Sequence, residues 1–511
     1  MKMKDVTEEI PEMPETTRRG FLVGSMSSMI GASLFGKLGW KQAPGAERRW
    51  RDGEPTYRIG VGKVDITPTK PMNMAGYGTR NKPGLGTAYH PLYASCLTID
   101  DGRNRTIFVH ADLVSFQGWS TKTGIVTNVR QAMLERHGIG AEQIAFVPAH
   151  VHNGPVVSAP EFNRDVTQKI IDLIDRTLAG ARPGRLYFGR GSCDIAVNRR
   201  SNDAGGNYLW SLINRYGATD HEVIVLKAVD LKGKPFAVAF NYACHPITIG
   251  GYEYGSDFIG FAVDAIEKEV PGATALFLQG CAGDQRPDCP DANDPLAFHS
   301  SLIGPDKPNP ALPAGFGRRL GASVVEALRK PMEPVTGAVR SSLGKIELPV
   351  LAGVKPDTKK PTWVIPTNFT TGDWTNTHVE KPWPESMRAP ERRWLRLAEL
   401  IRDSVNPDGT YKISQPAEIL VTRIGDKFIH VGLCGEPTVA IGLRLKDQLR
   451  GHNVMVTGYT GFSTGYFLAA AQIIEGGYEA FAAGKKVPYS PEAEDVVINK
   501  AMRLAEEMKT A

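Results

Sequence analysis

Short apolar runs of strand length alternate along this chain with segments whose apolar residues recur at helical spacing. Ile144 to Val147 is one such run, and it is followed by the turn signal Asn153-Gly154-Pro155. Between Asp165 and Ala179 the apolar residues instead fall three or four positions apart, at Val166, Ile170, Leu173, Ile174 and Leu178. Strands that alternate with amphipathic helices are typical of α/β proteins. The pattern therefore predicts an α/β fold with mixed β-sheets flanked by helices.

The segment Ala149 to Pro155 carries two histidines, His150 and His152, directly after a predicted strand. Side chains alternate along an extended chain, so both imidazoles are expected on one face just before the turn. Two imidazoles on one face can bind a metal ion, although two hydrogen-bonded loop histidines give the same pattern. The residues at other strand ends favour the metal site.

Three further predicted strands lead into residues that would complete a zinc site. Phe236 to Cys244 stops at His245, and Phe428 to Cys434 stops before Glu436, whose alternative role is a charge at a helix N-terminus. The next apolar run leads into the glycine-rich loop Gly458 to Tyr466. Ligands of open α/β sheets collect beyond the carboxyl ends of strands. Two imidazoles, a carboxylate and a weakly held fourth position suit catalytic zinc, so we expect one Zn²⁺ per chain.

Length and composition limit the partners and the number of domains. The 511 residues are 41% hydrophobic and 23% charged, with a formal net charge of +5. This balance is ordinary for a soluble globular protein and points to no nucleic acid partner. Large α/β enzymes reach this length as one unit, so residues 51–511 are expected to form a single catalytic domain.

Residues 1–50 are typical of an export signal followed by a linker. Thr16 to Leu22 contains the pair Arg18-Arg19 and precedes a moderately apolar run, Val23 to Leu38. This order predicts a twin-arginine signal, and hence a periplasmic or secreted protein that uses the twin-arginine export machinery. The alternative, a membrane anchor, fits less well because the run is short and rich in Gly and Ser. No other segment of the sequence is apolar enough for a stable transmembrane span.

Two further features leave alternatives open. Cys281 and Cys289 are close enough along the chain to close a small disulfide loop, or they stay reduced as small apolar residues. Residues 355–390 lose the regular pattern and carry three tryptophans, Trp363, Trp374 and Trp383. Such a segment is either a lid over a site or an irregular insertion that its tryptophans pack down.

A set of short motifs resembles, in its order, the neutral/alkaline ceramidases. The motifs are Gly60 to Pro68, Met74 to Gly78, His110 to Leu113, Ala149 to Pro155, Asn198-Arg199, His245-Pro246, Gly435 to Pro437 and Tyr478-Glu479. Each motif alone is weak, but the ordered set is fairly specific and extends over nearly all of residues 51–511. The resemblance implies a neutral-ceramidase-like catalytic fold and a zinc-dependent amidohydrolase that cleaves the acyl amide bond of a sphingolipid.

The resemblance also implies the metal ligands. His150, His245 and Glu436 would bind the zinc ion, and Tyr466 would be the fourth contact and supply a catalytic hydroxyl. Zinc lowers the pKa of a bound water towards ~7, which supplies a hydroxide at neutral pH. That hydroxide would attack the amide carbonyl.

Other matched residues are implied to contact the substrate. His152 would face the substrate and, with the tyrosine hydroxyls, stabilise the oxyanion. Arg199 would hold the polar head or the scissile carbonyl, in a catalytic as well as a binding role. Gly76 and Tyr478 would be further substrate contacts.

The sequence departs from the family in two places. Arg286 stands where the family's Gly-Asp-x-Ser-Pro segment has a serine, and a guanidinium cannot act as a nucleophile. Either the zinc-bound water therefore does the chemistry alone, or Arg286 binds an anionic group on a different substrate. The other interpretation of Arg286 is a structural ion pair with Asp284 or Asp288. True ceramidases continue into an additional β-domain, whereas here the helix-like stretch Pro491 to Lys509 comes last. Both departures affect the identity of the expected substrate more than the class of the expected reaction.

Three functions follow from these observations. The first is an exported zinc hydrolase that cleaves an N-acyl amide, either ceramide or a related lipid. The second is a zinc hydrolase of another amide, an ester or a glycoconjugate. The third is a periplasmic binding protein that holds a solute without turning it over, but a solute pocket has no need of two imidazoles and a carboxylate around one point. Zinc content distinguishes the hydrolases from the binding protein.

Overall fold

Strands and helices alternate along the chain as the apolar pattern predicted. The computed structural model describes residues 56–77, 80–118, 123–202, 208–209, 213–289, 307–351, 402–475, 479–480 and 489–509. The twin-arginine segment, residues 355–390 and Tyr478 lie outside the described residues, so what the sequence predicts for them stays a prediction. The boundary near residue 50 is likewise still a prediction.

The strands are short and mostly buried. Their bounds are β1 (Tyr57–Asp65), β2 (Tyr93–Asp100), β3 (Arg105–Ala111), β4 (Gln117–Gly118), β5 (Ile144–Pro148), β6 (Arg182–Ser192), β7 (Ala196–Asn198), β8 (Ser201–Asn202), β9 (Tyr208–Leu209), β10 (Glu222–Val229), β11 (Pro235–Tyr242), β12 (Thr274–Gln279), β13 (Gln285–Pro287), β14 (Glu333–Val335), β15 (Val339–Pro349), β16 (Ser414–Ile424), β17 (Phe428–Leu433), β18 (Glu436–Pro437), β19 (Asn453–Thr457), β20 (Phe462–Ser463) and β21 (Tyr466–Phe467).

The helices are amphipathic and lie between the strands in sequence. Their bounds are α1 (Ile125–His137), α2 (Pro160–Ala179), α3 (Asp257–Glu269), α4 (Ala311–Arg329), α5 (Val439–Gln448), α6 (Ala470–Glu475) and α7 (Ala493–Glu507), with a 3₁₀ turn at Ala141–Gln143. The helix predicted from Asp165 is α2, which starts earlier because Pro160 suits its first turn. The helix predicted from Pro437 begins instead at Val439, because Pro437 lies in the short strand β18.

Two mixed sheets contain most of the strands. The large sheet has nine strands, with the order β12-β11-β10-β6-β1-β2-β3-β5 and β14 beside β6. The small sheet has the order β15-β16-β17-β19. Most neighbours are antiparallel, but β3 and β5, β11 and β12, and β17 and β19 are parallel pairs. The predicted mixed α/β architecture is therefore confirmed.

The two sheets face each other, and helices cover their outer faces. In β3, Phe108 packs between the sheets with Leu420 of β16, whereas Ile107 packs under α1 and α2. On the small sheet, Ile419 packs on the opposite side, under α5 and α7. Alternating side chains reach two apolar interiors, so both faces of these strands are hydrophobic. Each large side chain buried in this way contributes about 1.5–3 kcal/mol.

The carboxyl ends of the parallel strands bring distant loops together. His150 follows β5, His245 follows β11, and Glu436 follows β17. β5 and β11 belong to the large sheet and β17 to the small one. The site therefore forms where two sheets meet, and not at the edge of one sheet.

The structure also bears on membrane-spanning helices and on the two cysteines. Within the described ranges, no helix combines the length and the apolar composition needed to cross a membrane. Cys281 and Cys289 are both buried, and their thiols are free. The disulfide alternative is therefore not realised in this structure.

Candidate metal centre

His150 is held by the loop that follows β3. Its backbone N–H donates to Leu113 O at 2.9 Å, and its ring Nδ1 donates to Val114 O at 2.7 Å. A carbonyl on Nδ1 fixes the tautomer and leaves the Nε2 lone pair available to a metal ion. The φ of His150 is +63°, so it is the turn, and not strand alternation as expected from sequence, that aims this ring at the centre.

His245 is the most deeply buried imidazole of the group. Its Nδ1 donates to Ala282 O at 2.5 Å, while its Nε2 has no hydrogen-bond partner among the described residues. Burial, followed by the nearby Arg199, lowers the pKa of His245 to about 4. The ring is therefore neutral at pH 7, as a metal ligand must be.

Glu436 lies between these two rings. Its Oε2 is 3.3 Å from His150 Nε2 and 3.5 Å from His245 Nε2, yet within the described part of the chain it makes no hydrogen bond of good geometry. Burial alone would raise the pKa of this carboxyl, but the two histidines outweigh it and hold the pKa well below its usual range. An ionised carboxylate and the Nε2 atoms of two imidazoles face one point here.

His152 joins the same cluster from the other side. Its Nε2 lies 3.3 Å from His150 Nε2, and the ligand atoms of His150, His152 and His245 all lie within 4.8 Å of one another. Burial, followed by the two neighbouring histidines, lowers the pKa of His152 well below its usual value. Two ligand sets are thus compatible with the geometry: two imidazoles with Glu436, or three imidazoles.

The donor set fits a zinc ion. His245 Nε2 and Glu436 Oε2 are buried lone-pair atoms to which no described residue donates a hydrogen bond. Leaving such atoms unsatisfied costs roughly 1–3 kcal/mol each, and a cation between them would remove that cost. Imidazole nitrogens with a carboxylate oxygen are common zinc ligands.

Tyr459 is a residue of the centre that the sequence did not single out. Its ring lies 4.3 Å from the His150 ring and 6.1 Å from the His245 ring, between centroids. Its hydroxyl is buried without a hydrogen-bond partner in the described part of the chain, and burial raises its pKa well above the usual value. Only Gly458 separates it from the end of β19, so that strand end was the available signal in the sequence.

Tyr466, which the resemblance implied as the fourth metal contact, lies beside Glu436 in the β18–β21 pair. Its hydroxyl accepts a hydrogen bond from Arg199 Nη2 at 2.9 Å. No zinc contact follows from this position, and the role of Tyr466 as a ligand stays a prediction. The centre thus has two phenols near it, one against the imidazoles and one on Arg199.

Arg199 links the centre to the carboxylate of Glu479. Its Nε donates to Glu479 Oε1 at 2.9 Å, and its Nη2 also donates to Gly283 O at 2.6 Å. Arg200 binds the second oxygen of Glu479 at 2.8 Å. Arg199 is 5% exposed and therefore has a fixed position.

Gly76 lies directly against His152. It is exposed and has a φ of +90°, and a Cβ there would be 2.4 Å from His152 Cγ. Only glycine allows this approach. The structure therefore places Gly76 against the His152 ring, and its contact with a substrate stays a prediction.

Arg286 is fully buried in β13 beside the Cys289 thiol. Burial lowers the pKa of Arg286 to about 10. Asp288 pairs with Arg215, and Asp284 accepts hydrogen bonds from Val439 N and Gln472 Nε2, at 2.8 and 2.9 Å. The two carboxylates suggested as partners of Arg286 are thus engaged elsewhere.

Comparison with known proteins identifies a relationship to ceramidases. Residues 57–302 match the sequence model described as neutral/alkaline non-lysosomal ceramidase, N-terminal. The neutral ceramidase of Pseudomonas aeruginosa is 25% identical in an alignment of 255 residues, and the match covers 45% of this chain and 37% of that relative. The sequence match therefore spans little more than a third of the relative's length.

Solved ceramidase structures share the fold. The crystal structure of neutral ceramidase from Pseudomonas aeruginosa is 19% identical, with a TM-score of 0.63 over 90% of this chain and 76% of that chain. A ceramidase complexed with C2 is 18% identical, with a TM-score of 0.64 and the same coverage. The chain thus has a ceramidase-like α/β fold. The predicted resemblance to the neutral/alkaline ceramidases is confirmed.

Proposed function

We propose that this chain is an exported, zinc-dependent hydrolase that cleaves an N-acyl amide, either ceramide or a related lipid. The observation that carries the proposal is the convergence of His150, His245 and Glu436, with Glu436 Oε2 at 3.3 and 3.5 Å from the two Nε2 atoms. The similarity to ceramidases supports the reaction class. The alternative substrates are another amide, an ester or a glycoconjugate.

His150, His245 and Glu436 would hold the zinc ion. When bound there, zinc supplies Lewis-acid activation of water at neutral pH. His150 and His245 keep their metal-facing Nε2 atoms aligned because Val114 O and Ala282 O accept from the Nδ1 atoms. Such backbone partners orient ligands and tune affinity.

The side chains around the proposed ligands would bind the amide substrate and stabilise the charge that develops on its carbonyl oxygen. His152 is held neutral by burial, so its ring has one N–H with which to stabilise a developing oxyanion. The Tyr459 hydroxyl, buried beside His150, can donate a hydrogen bond to the same charge. Arg199 would bind the polar head or the scissile carbonyl.

The metal content of the purified protein tests this proposal. Protein prepared without added zinc is expected to hold about one zinc ion per chain, and His150→Ala is expected to lose both the metal and at least ~100-fold of the activity. His137→Ala is the matched control, because His137 pairs with Asp175 on the surface. Metal-free wild-type protein that binds a solute without turnover would instead indicate a binding protein.

A substrate panel tests the bond that is cleaved. A short-chain fluorescent ceramide is compared with N-acyl amino acids and simple esters. Turnover of the ceramide supports a lipid amide, whereas turnover of only non-lipid amides or esters supports the alternative.

Export through the twin-arginine route is part of the proposal. Replacement of Arg18 and Arg19 by lysine is expected to leave the protein in the cytoplasm of a bacterial host, since this route recognises the arginine pair. Fractionation with an antibody measures the outcome. Unchanged export of the double variant would contradict the proposed signal.

A further inference from the structure

Arg80 donates hydrogen bonds to backbone carbonyls of three separate loops. Its Nη1 lies 2.6 Å from Ala75 O and 2.6 Å from His152 O, and its Nε lies 3.0 Å from Gly251 O. Ala75 precedes Gly76, and Gly251 lies in the loop that follows His245. One guanidinium thus joins the three backbone segments that surround the metal-ligand cluster.

These contacts engage Arg80 with the backbone and not with a carboxylate. Among the described residues it forms no ion pair, and its guanidinium carbon lies 4.7 Å from the centroid of the Tyr77 ring. The Tyr77 ring in turn meets the His152 ring edge-on at 4.8 Å. Burial lowers the pKa of Arg80, which reflects the cost of placing a cation here. A cation kept at such a cost suggests that its hydrogen-bond geometry is needed.

The position of His152 depends on this region. Its Nε2 is 3.3 Å from His150 Nε2, and Gly76 packs against its ring. The turn is closed on one side by Ala75 N donating to Gly154 O at 2.9 Å. Arg80 Nη1 binds the carbonyl oxygens of both Ala75 and His152, and Ala75 O also accepts a longer hydrogen bond from Tyr77 N at 3.2 Å. Removing the guanidinium would take this donor away from His152 O and would leave Ala75 O with the longer Tyr77 bond.

We propose that Arg80 is a positioning residue that fixes His152 against the ligand cluster by clamping these three loops. The effect on turnover rests on the proposed function, whereas the clamp itself does not. The clamp requires the planar guanidinium of Arg80, because only a guanidinium presents donors in several fixed directions. A displacement of about 1 Å at a catalytic group can cost ~100-fold in rate.

Hydrogen–deuterium exchange on the metal-free protein tests the clamp without any substrate. In Arg80→Met, peptides that cover residues 74–77, 150–156 and 249–252 are expected to exchange at least ~10-fold faster than in wild type. Lys70→Met is the control, since it removes one charge from an exposed site in the same region. Unchanged exchange in all three peptides would overturn the proposal. If Arg80→Met does not fold, Arg80→Lys is used, and it is expected to loosen at least two of the three loops.

Kinetics of the zinc-loaded protein test the consequence for His152. Arg80→Met is expected to lower kcat ~100-fold while KM changes less than ~3-fold and zinc content stays at that of wild type. Arg80→Lys is expected to restore little, and full recovery by lysine would overturn the clamp in favour of a simple charge. If wild-type protein hydrolyses no substrate of the panel, the proposed function fails, and the exchange result alone decides whether Arg80 clamps the loops.

Discussion

At the residue scale, unusual backbone angles collect at the candidate centre. Among the described residues other than glycine, φ is positive at His150, Tyr459 and Asp257. Two of these contact each other in the centre, and Asp257 accepts hydrogen bonds from Thr248, in the loop after His245. Such angles cost of order 1–3 kcal/mol each and persist where surrounding structure enforces them. The strain supports a functional role for this region.

Gly76→Ala is expected to disturb His152. The new Cβ would lie 2.4 Å from His152 Cγ, in a residue whose φ is +90°. Gly102→Ala is the matched control, because Gly102 has a φ of +89° but nothing within 4 Å of its Cβ position. Both variants should lose about 1–2 kcal/mol of unfolding free energy from the φ angle, and only Gly76→Ala should also lose at least ~10-fold in kcat. Equal kcat values in the two variants would contradict this expectation.

His430 makes stability depend on pH. It is buried between the sheets, its Nε2 contacts Thr457 Oγ1 at 2.8 Å, and burial lowers its pKa to about 3. The unfolded chain binds a proton near pH ~6.5, so the stabilisation is present above that pH and is lost as pH falls from ~6.5 towards 3. Urea unfolding from pH 4.5 to 7.5 should show a smaller slope for His430→Gln, by up to ~1.4 kcal/mol per pH unit. The same slope in both proteins would exclude His430 as the source.

At the element scale, the buried carboxylate of Asp284 joins several elements around the centre. One oxygen accepts from Val439 N at the start of α5, and the other accepts from Asn198 in β7 and Gln472 in α6. The adjacent Gly283 N donates to Pro437 O at 2.8 Å, next to Glu436. Asp284 therefore fixes the helix and strand next to Glu436, the candidate carboxylate ligand.

Asp284→Asn is expected to destabilise the fold by about 2–4 kcal/mol. The amide NH₂ would face donors already present on that side, at 3.3 Å for Asn198 and 2.9 Å for Gln472. Asp288→Asn is the control, because its partner Arg215 is half exposed and such pairs contribute less than about 1 kcal/mol. Urea unfolding measures both. A loss below 1 kcal/mol for Asp284→Asn would show that the carboxylate is dispensable.

At the scale of the whole molecule, four layers hold the centre in place. The two sheets share one interior, and separate apolar clusters join each sheet to its helices. The candidate ligands His150, His245 and Glu436 lie at the ends of strands that this packing already fixes. The scaffold should therefore keep its structure without metal.

Removal of metal by a chelator is expected to lower the melting temperature without loss of secondary structure. A ligand that binds only the folded state stabilises it by about 2.7 kcal/mol at 100 times its Kd. Circular dichroism with thermal melts checks both parts, and added zinc should reverse the shift. His150→Ala should show no shift with the chelator. Loss of the far-ultraviolet signal would mean that the metal, and not the packing, organises the fold.

The local pattern of hydrophobic residues was sufficient to predict many of the strands and helices. The run at Ile144 and the helical spacing after Asp165 correspond to β5 and α2, because each depends on side chains within a few residues. The same reasoning placed Pro437 in a helix, although its pairing with Phe467 makes it part of a short strand. That pairing joins residues far apart in sequence, which a local pattern does not contain.

The sequence by itself determined the element types and the kinds of side chain at their ends, because periodicity and turn chemistry act over a few residues. Only the tertiary structure decided that His150 and His245 come from one sheet and Glu436 from another, and that Tyr459 packs on His150 while Tyr466 meets Arg199. The two tyrosines lie in one loop with the same local signals. Long-range strand pairing places Tyr466 beside Glu436, and the turn at Tyr459, with a φ of +57°, places the Tyr459 ring on His150.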